Sequence, residues 1–300
     1  MTSILHITGG DVAGSNLALS GIPGEVLVWH DILYEGPRKP GWPDDETLQW
    51  RARFLEQATA GGLSGEYILD TLKAQYLKLE TALSYDGVVL WFDACLFDQS
   101  MLSHILACLR HLETRKAKLI CIDAFPGIEP FHGLGQLRPE QLASVYDRRQ
   151  TVTDDQFRFA ERVDKAFALQ DKAVFVELSQ RPDAPLPWIP SAVARWLQEQ
   201  PDPVTGLGRL EQLALEAIRS GCRTPAEIFT CVSEKDTPPQ FWGDITLWAK
   251  INALADRNLV RIEGPAEKLP QWEGIEDLKS FRVCPTRAAG TVRDTIELRL

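Results

Sequence analysis

Aspartates stand at the ends of four short hydrophobic runs in the amino-terminal half of the chain, and carboxylates suit acid–base and metal chemistry. The four are Asp11, Asp31, Asp93 and Asp123. Continuous Val, Ile and Leu runs separated by helical stretches predict parallel strands that are buried on both faces. The carboxyl ends of such strands form a common ligand crevice. We therefore expect distant parts of the chain to contribute to one polar site.

Three of these carboxylates, Asp11, Asp31 and Asp93, are the candidate catalytic residues. Like charges at short range either raise the proton affinity of one group or recruit a divalent cation, so Mg²⁺ is the candidate cofactor. Magnesium-assisted phosphoester or nucleotide chemistry is the enzyme hypothesis that follows. The alternative is that each aspartate is solvated at a strand end or caps the next helix.

The turn after the first hydrophobic run is a candidate anion site. Gly9 and Gly10 precede Asp11, and a short helix through Ser15 follows. Amides at a helix start bind phosphate, which makes Gly10 and Ser15 candidate ligand contacts. The turn lacks the Gly-x-Gly-x-x-Gly dinucleotide fingerprint, and Asp11 would repel a pyrophosphate there. In the alternative, the glycines only make the turn and Asp11 caps the helix.

Other polar residues near the strand ends are candidate ligand contacts. These are His30, Glu35, Arg38, Arg51 and Gln99. Adjacent side chains on an extended backbone point in opposite directions, so either His30 or Asp31 faces the crevice. Arg51 can form a structural ion pair or bind a phosphate. Gln99 is predicted to begin the helix that follows the third strand, and Asp98 beside it suits a helix cap as well as a ligand.

Several of these segments match a known pattern. They are HITGGDVAGS at 6–15, VWHDILYEGP at 28–37, Arg51, and Trp91 followed by Asp93, Asp98 and Gln99. In them the chain resembles the bacterial family called domain of unknown function 1835, in the form with a helix-turn-helix-like carboxyl-terminal domain. The resemblance implies a two-domain layout and important strand-end residues, and it implies no activity. Family members usually carry Gly-Asp-Ser or Gly-Asp-x-Ala at the first turn, whereas Val12 here supplies no hydroxyl.

The elements that position these residues form an α/β domain over residues 1–200, with a mainly parallel Rossmann-like sheet flanked by helices. Prolines and glycines concentrated between 181 and 208 place the domain boundary near residue 205. Residues 205–300 predict helices near 207–220, 225–232 and 242–257, then strands near 259–262, 281–283 and 296–300. This element order is typical of a winged-helix domain.

Composition limits the partners. A net charge of -10, from 32 basic and 42 acidic residues, opposes non-specific attraction to nucleic acid or anionic membranes. Residues 201–300 carry 13 basic and 15 acidic residues, so the helix at 242–257 lacks the basic surroundings of a typical DNA reader. The absence of a long apolar stretch and of a signal peptide predicts a cytoplasmic protein without a membrane segment. The six scattered cysteines predict buried free thiols.

Two functional hypotheses of different class remain open. The first is a cytoplasmic enzyme that acts on a phosphorylated or nucleotide-like small molecule at the strand ends. The second is a non-catalytic sensor that binds a ligand in the same crevice and contacts nucleic acid or protein through its winged-helix-like tail. Carboxylates within coordination distance would favour the enzyme, and a basic face on the tail would favour the sensor.

Overall fold

Two compact units make up the chain, and the computed structural model describes residues 3–114, 116–272 and 275–286. The amino-terminal unit comprises Met1–Glu56, Ser64–Leu197 and Pro238–Phe241. The carboxyl-terminal unit comprises Gln57–Leu63, Gln198–Thr237 and Trp242–Leu300. The main division, after Leu197, lies close to the boundary expected near residue 205. Each unit also takes in a short segment from within the sequence range of the other.

A five-stranded, mostly parallel sheet forms the centre of the amino-terminal unit. Its strands are β1 (Ile4–Gly9), β2 (Glu25–Trp29), β3 (Gly87–Asp93), β4 (Ala117–Ile122) and β5 (Gln150–Thr151). They lie in the order β2-β1-β3-β4-β5, and β5 is antiparallel to β4. Thr8 of β1 pairs with Val28 on one side and with Trp91 on the other. The predicted mixed α/β class with a mainly parallel sheet is confirmed.

Helices flank the sheet. Those that begin in this unit are α1 (Asp11–Ala18), α2 (Asp45–Ala58), α3 (Gly65–Glu80), α4 (Leu96–His111), α5 (Pro139–Val145), α6 (Asp154–Leu169), α7 (Lys172–Ser179) and α8 (Ile189–Gln198). Val89 and Trp91 of β3 pack with buried residues of α1 and α5 on one face. Because side chains alternate along a strand, Leu90 and Phe92 face the other way, toward α4, and all four are buried.

Helix α4 begins at Leu96, three residues before the predicted start at Gln99. Cys95 is its N-cap, and the thiol sulfur accepts the amide hydrogen of Asp98 at 3.4 Å. A cysteine is an uncommon cap, which is why the sequence pattern placed the start too late. A capping box of Thr153 with Gln156 begins α6.

A chain of buried polar groups ties the loop after β2 to α3, α4 and α6. Arg38 Nη1 lies 2.7 Å from Asp164 Oδ1, and His104 Nδ1 lies 2.9 Å from the same oxygen. The other ring nitrogen of His104 is 2.6 Å from the hydroxyl of Tyr76. The second carboxylate oxygen of Asp164 accepts the amide hydrogen of Gly41 at 2.6 Å. Each ionic group here is therefore paired, as buried charges need to be.

Among its described residues, the carboxyl-terminal unit contains three α-helices that begin within it, one short 3-10 helix (Ile275–Ser280) and a two-stranded antiparallel ladder. The α-helices and strands are α9 (Arg209–Arg219), α10 (Pro225–Lys235), α11 (Asp244–Asp256), β6 (Val260–Glu263) and β7 (Arg282–Pro285). Thr224 caps α10 in a capping box with Glu227. The third strand expected at 296–300 lies outside the described residues.

Two predictions made for the whole chain can be compared with the structure. All six cysteines are free thiols; Cys95 and Cys108 are buried, and the other four are half-buried. The prediction of unpaired cysteines is thus confirmed, and burial is complete for only two of them. In the part of the chain that the structure describes, no helix is both long enough and apolar enough to cross a bilayer.

Candidate functional site

The strand order creates a topological switch point between β1 and β3. The chain leaves β1 to join β2 on one side, whereas β3 lies on the other side of β1. In open parallel sheets, ligands bind outside the carboxyl ends of the strands at such a point. Gly9 ends β1 and Asp93 ends β3. We call the region formed by Gly9–Asp11, His30 and Asp93–Gln99 the switch-point site.

The start of α1 offers main-chain amides at this site. Gly10 is the N-cap, with φ +78, and it supplies no side-chain cap. A Cβ on Gly14 would overlap the side chain of Val28, so glycine there lets α1 lie close against β2. The first-turn amides of a helix have no acceptor inside the helix, and the helix dipole makes this end attractive to anions. Ser15, the other predicted anion contact, is exposed in the second turn of α1.

His30 and Asp11 form a hydrogen-bonded pair at the rim of the site. Nε2 of His30 lies 2.8 Å from Oδ1 of Asp11. Both side chains are largely open to solvent, at 46% and 73% exposure. A carboxylate that accepts from one ring nitrogen fixes the tautomer, so that the other nitrogen is free to take a proton. The structure thus joins two residues that the sequence analysis singled out separately.

Asp31 is buried and paired with Arg51. Arg51 donates from Nη2 to Asp31 Oδ1 at 2.5 Å and from Nε to both carboxylate oxygens, and the two side chains are 2% and 1% exposed. Arg51 also donates to the main-chain oxygens of Ile32 and Glu35 at 2.8 Å. This ion pair holds the loop that follows β2. Of the two alternatives for Arg51, the structure contains the structural pair.

Asp93 and Asp98 place two buried carboxyls side by side at the start of α4. Asp98 Oδ2 accepts the amide hydrogen of Asp93 at 2.7 Å, and Asp93 Oδ1 accepts that of Cys95 at 2.9 Å. The amide of Leu134, in the segment after β4, approaches Asp93 Oδ2 at 3.4 Å. A Cβ on Gly133 would overlap the same oxygen, so only glycine allows this close approach. The segment after β4 therefore covers the carboxyl pair.

Burial governs the protonation of this pair. Burial and then the charge of Asp93 raise the pKa of Asp98 well above its ordinary value. Burial also raises the pKa of Asp93, although hydrogen bonds from Cys95 and Leu134 oppose the change. Burial, followed by the charges of both carboxyls, raises the pKa of the Cys95 thiol. The two carboxyls consequently favour a state in which they keep a proton between them.

Two buried glutamines near the strand ends each have one side-chain amide atom without a hydrogen-bond partner among the described residues. Gln75 Oε1 accepts the amide hydrogen of His30 at 3.0 Å, and Gln99 Nε2 donates to the main-chain oxygen of Asp93 at 2.6 Å. Among the described residues, nothing pairs with Gln75 Nε2 or Gln99 Oε1. Buried polar atoms normally have a hydrogen-bond partner. A bound group that forms a hydrogen bond with either of these two atoms would therefore be stabilised.

No family model matches this chain. A comparison with curated proteins likewise finds no similar sequence. The resemblance to the domain of unknown function 1835 family therefore stays a prediction. Any functional conclusion has to come from the geometry of the site.

The structure brings some of the predicted site residues together and keeps others apart. The three candidate catalytic carboxylates do not share one cluster: Asp11 bonds to His30, Asp31 bonds to Arg51, and Asp93 lies beside Asp98. In the described ranges, the group of carboxylate and thiol ligands close enough to hold one ion is Asp93, Cys95 and Asp98. Of the predicted ligand contacts, Gln99 lies at the switch-point site and Arg38 is buried against Asp164. Glu35 is half-buried in the loop held by Arg51.

Three residues were not named as site candidates: Cys95 and Asp98 of the switch-point site, and Gln75, which accepts the amide hydrogen of His30. Asp98 was left open between cap and ligand, and Cys95 and Gln75 were not singled out for a site. The spacing Asp-x-Cys-x-x-Asp across a strand end and a helix start was the available signal for the first two. It places one side chain on the last strand residue, one on the cap and one in the first helical turn. Nothing in the sequence marked Gln75, which sits among apolar residues of α3.

Proposed function

We propose that the protein is a cytoplasmic enzyme that acts on a phosphorylated or nucleotide-like small molecule at the switch-point site. The observation that carries this proposal is the hydrogen bond between His30 and Asp11, beside a helix start that has no side-chain cap. It combines an acid–base group with anion-binding amides at the place where parallel sheets bind ligands.

The phosphate group binds at the amino end of α1. The amides of Val12 and Ala13 are in its first turn, where a phosphate oxygen is an effective acceptor. The hydrogen bond to His30 holds the Asp11 carboxylate, which would otherwise compete for these amides. Gly10 places no side chain over the turn, and apart from its chain neighbours nothing lies within 4 Å of the position that a Cβ would take.

His30 transfers the proton. With Nε2 hydrogen-bonded to Asp11, Nδ1 is the nitrogen that accepts a proton from an attacking water or donates one to a leaving oxygen. Neighbouring strands lie about 4.8 Å apart, so the ends of β2, β1 and β3 span roughly 10 Å. A small phosphate ester bridges this distance between His30 and Asp93. Mg²⁺, the cofactor suggested by the sequence, would lower the charge on the phosphate oxygens.

Ligand binding is tested by thermal melting of the full chain with a panel of phosphate monoesters and nucleotides, in the presence of a chelator. A ligand at 100 times its dissociation constant stabilises a protein by about 2.7 kcal/mol, which raises the melting temperature measurably. Binding through the helix start also predicts that inorganic phosphate competes. If no member of the panel raises the melting temperature, the proposal fails.

Turnover is then measured with added Mg²⁺, Mn²⁺ or Zn²⁺, by release of phosphate from the esters that bind. We expect His30→Gln and Asp11→Asn to lower the rate about 10²–10⁴-fold, the usual contribution of a general acid–base group, and to preserve the ligand-induced melting shift. Asp155→Asn is the matched control, because Asp155 is also an exposed aspartate in a first helical turn. Equal rates in all three variants would remove His30 and Asp11 from the mechanism.

The sensor hypothesis has one observation in its favour. The order α9, α10, α11, β6, β7 agrees with a winged-helix domain, in which the third helix contacts DNA. Helix α11 carries Asp244, Lys250 and Asp256, so its charges are mixed and poorly suited to phosphate. A gel-shift titration of the full chain at low and high salt distinguishes the two functions. Salt-sensitive DNA binding that responds to a small ligand would favour the sensor.

A further inference from the structure

Three side chains that can bind a metal lie together at the start of α4, one from the strand end, one from the N-cap and one from the first helical turn. Asp93 is the last residue of β3, Cys95 is the N-cap of α4, and Asp98 lies in the first turn. One ligand atom of each lies within 4.8 Å of the others, and all three residues are buried. Main-chain amides donate hydrogen bonds to all three side chains and hold them in place before an ion binds. This pre-organisation lowers the entropy cost of binding an ion.

These carboxyls have no cationic partner. Asp31 and Asp164 are the other buried aspartates at this end of the unit, and each is paired with an arginine. In the described part of the chain, no lysine, arginine or histidine pairs with Asp93 or Asp98. Two adjacent buried carboxyls without a counter-charge are unfavourable when both are ionised, and a divalent cation is the partner that would stabilise both as carboxylates.

Gln99 supplies an independent observation. Its side chain is fully buried, and Nε2 is held by the main-chain oxygen of Asp93. Oε1, about 2.3 Å from Nε2 within the same planar amide, has no partner in the described ranges. Nε2 also donates to Cys121 Sγ at 3.4 Å. A buried carbonyl oxygen without a donor, on the residue next to Asp98 and in a side chain bonded to the main chain of Asp93, is a candidate oxygen ligand for an ion at this cluster.

The geometry points to a divalent-cation site of the zinc class, with Asp93, Cys95 and Asp98 as protein ligands and Gln99 Oε1 or substrate in the remaining position. A thiolate among carboxylates selects a borderline ion such as Zn²⁺ or Co²⁺, because Mg²⁺ and Ca²⁺ prefer oxygen alone. Zinc bonds of about 2.0–2.3 Å place ligand atoms about 3.3–3.8 Å apart. Atoms already within 4.8 Å need to move by less than about 1.5 Å to reach this spacing.

This site deepens the proposed function, on whose switch-point site it depends, because an ion there would face the phosphate bound at α1. Three protein ligands and one exchangeable position are the arrangement of catalytic zinc sites. The ion would polarise a phosphate oxygen or a bound water, and His30 would transfer the proton. The metal test below uses no phosphate ligand, whereas the melting test above uses a chelator. Each can therefore fail while the other succeeds.

The test is titration of the reduced, metal-free full chain with Co²⁺, followed by competition with Zn²⁺. We expect one equivalent of Co²⁺ to produce a near-ultraviolet thiolate-to-cobalt charge-transfer band, which Zn²⁺ then removes. Cys95→Ser is expected to abolish the band; serine is a good N-cap, so the helix start is retained. Cys108→Ser, a buried thiol of the same helix outside the cluster, is the matched control and should keep the band.

Calorimetric titration with Zn²⁺ measures how much each oxygen ligand contributes to zinc affinity. Asp98→Asn should weaken zinc binding at least about 100-fold, and Gln99→Leu about 10-fold. Circular dichroism and melting temperature of each variant show whether it has folded. The inference is overturned if the folded parent binds no stoichiometric ion, if the band persists in Cys95→Ser, or if Asp98→Asn binds zinc as tightly as the parent.

Discussion

Buried aspartates in this protein differ in what neutralises them. Asp31 is bound by Arg51, and Asp164 is bound by Arg38 and His104. Asp93 has no cationic side chain among the described residues and instead lies beside a second carboxyl. A buried carboxylate with an arginine is stable in its charged form and has little tendency to react. We therefore assign Asp31 and Asp164 to the fold, whereas the pair at Asp93 belongs to the metal site proposed above.

The loss of stability at low pH should depend in part on Asp164. Burial alone would raise its pKa, but the charges of Arg38 and His104 outweigh burial and lower the pKa from 3.8 to about 2. Because the folded-state pKa lies below the unfolded value, the contribution to stability is present above about pH 4 and is lost as the pH falls through about 2. We expect the difference in unfolding free energy between the parent and Asp164→Asn to shrink by about 2 kcal/mol over that range. Urea titrations between pH 5 and pH 2 measure it.

At neutral pH the same variant should be strongly destabilised. Asp164→Asn leaves the buried Arg38 without a counter-charge, which costs about 3–5 kcal/mol. Asp155→Asn breaks only an exposed pair with Arg158 and should change the free energy of unfolding by less than about 1 kcal/mol. A difference between parent and Asp164→Asn that stays constant from pH 5 to pH 2 would contradict the assigned role of the carboxylate.

At the scale of elements, the segment after β4 covers the buried carboxyls of Asp93 and Asp98. Gly133 has φ +145 and lies against Asp93, and the neighbouring Leu134 donates toward the same carboxylate. Helix α1 meets this segment too, since Asn16 donates to the main-chain oxygen of Leu137 at 3.0 Å. The cover is therefore held at both ends by specific contacts.

Substitution of Gly133 tests the close approach. Gly133→Ala should displace the segment from Asp93, lower the melting temperature and weaken cobalt binding at Asp93, Cys95 and Asp98. Gly127→Ala is the matched control, because Gly127 also has a positive φ, +80, but has open space where a Cβ would lie. We expect about 1–2 kcal/mol of backbone strain in the control and a larger loss in Gly133→Ala. Equal losses would mean that the contact with Asp93 contributes nothing.

At the scale of the whole molecule, each unit is assembled from separated stretches of sequence. The amino-terminal unit includes Pro238–Phe241, and the carboxyl-terminal unit includes Gln57–Leu63. Phe241 is buried, with its ring 5.5 Å from that of Tyr34 and 5.0 Å from the guanidinium of Arg195. A truncation near residue 200 would thus remove part of the amino-terminal unit as well.

Hydrogen exchange can locate this contribution. Phe241→Ala should cost about 3 kcal/mol and speed amide exchange around Tyr34 and in α8, because a buried aromatic ring is lost from that cluster. Phe229→Ala is the control: its ring contacts Trp242 and Trp248 in the carboxyl-terminal unit, so faster exchange is expected in α9–α11. Faster exchange of α9–α11 alone in Phe241→Ala would contradict the division into units.

Local patterns in the sequence were sufficient for many elements. The strands ending at Gly9, Trp29, Asp93 and Ile122 are apolar runs that can be recognised from neighbouring residues alone. The strands ending at Gly9 and Asp93 are buried on both faces, whereas the edge strand ending at Trp29 is only half-buried. The caps at Thr153 and Thr224 use partners three residues away, so their signals are also local. The start of α4 was misplaced because its cap is a thiol. The strand at 296–300 lies outside the described residues and stays a prediction.

The sequence by itself determined that carboxylates stand at the ends of parallel strands, because the residues that specify a buried strand and the start of a helix are neighbours in the sequence. It also predicted that His30 and Asp31 point in opposite directions, as neighbours on an extended backbone do, although the structure places both residues after the last residue of β2, Trp29. Only the tertiary structure decided that Asp31 meets Arg51 and that His30 meets Asp11. Those pairings depend on how α1 and α2 pack at the sheet edge. Packing of this kind joins residues far apart in sequence, and no local pattern encodes it.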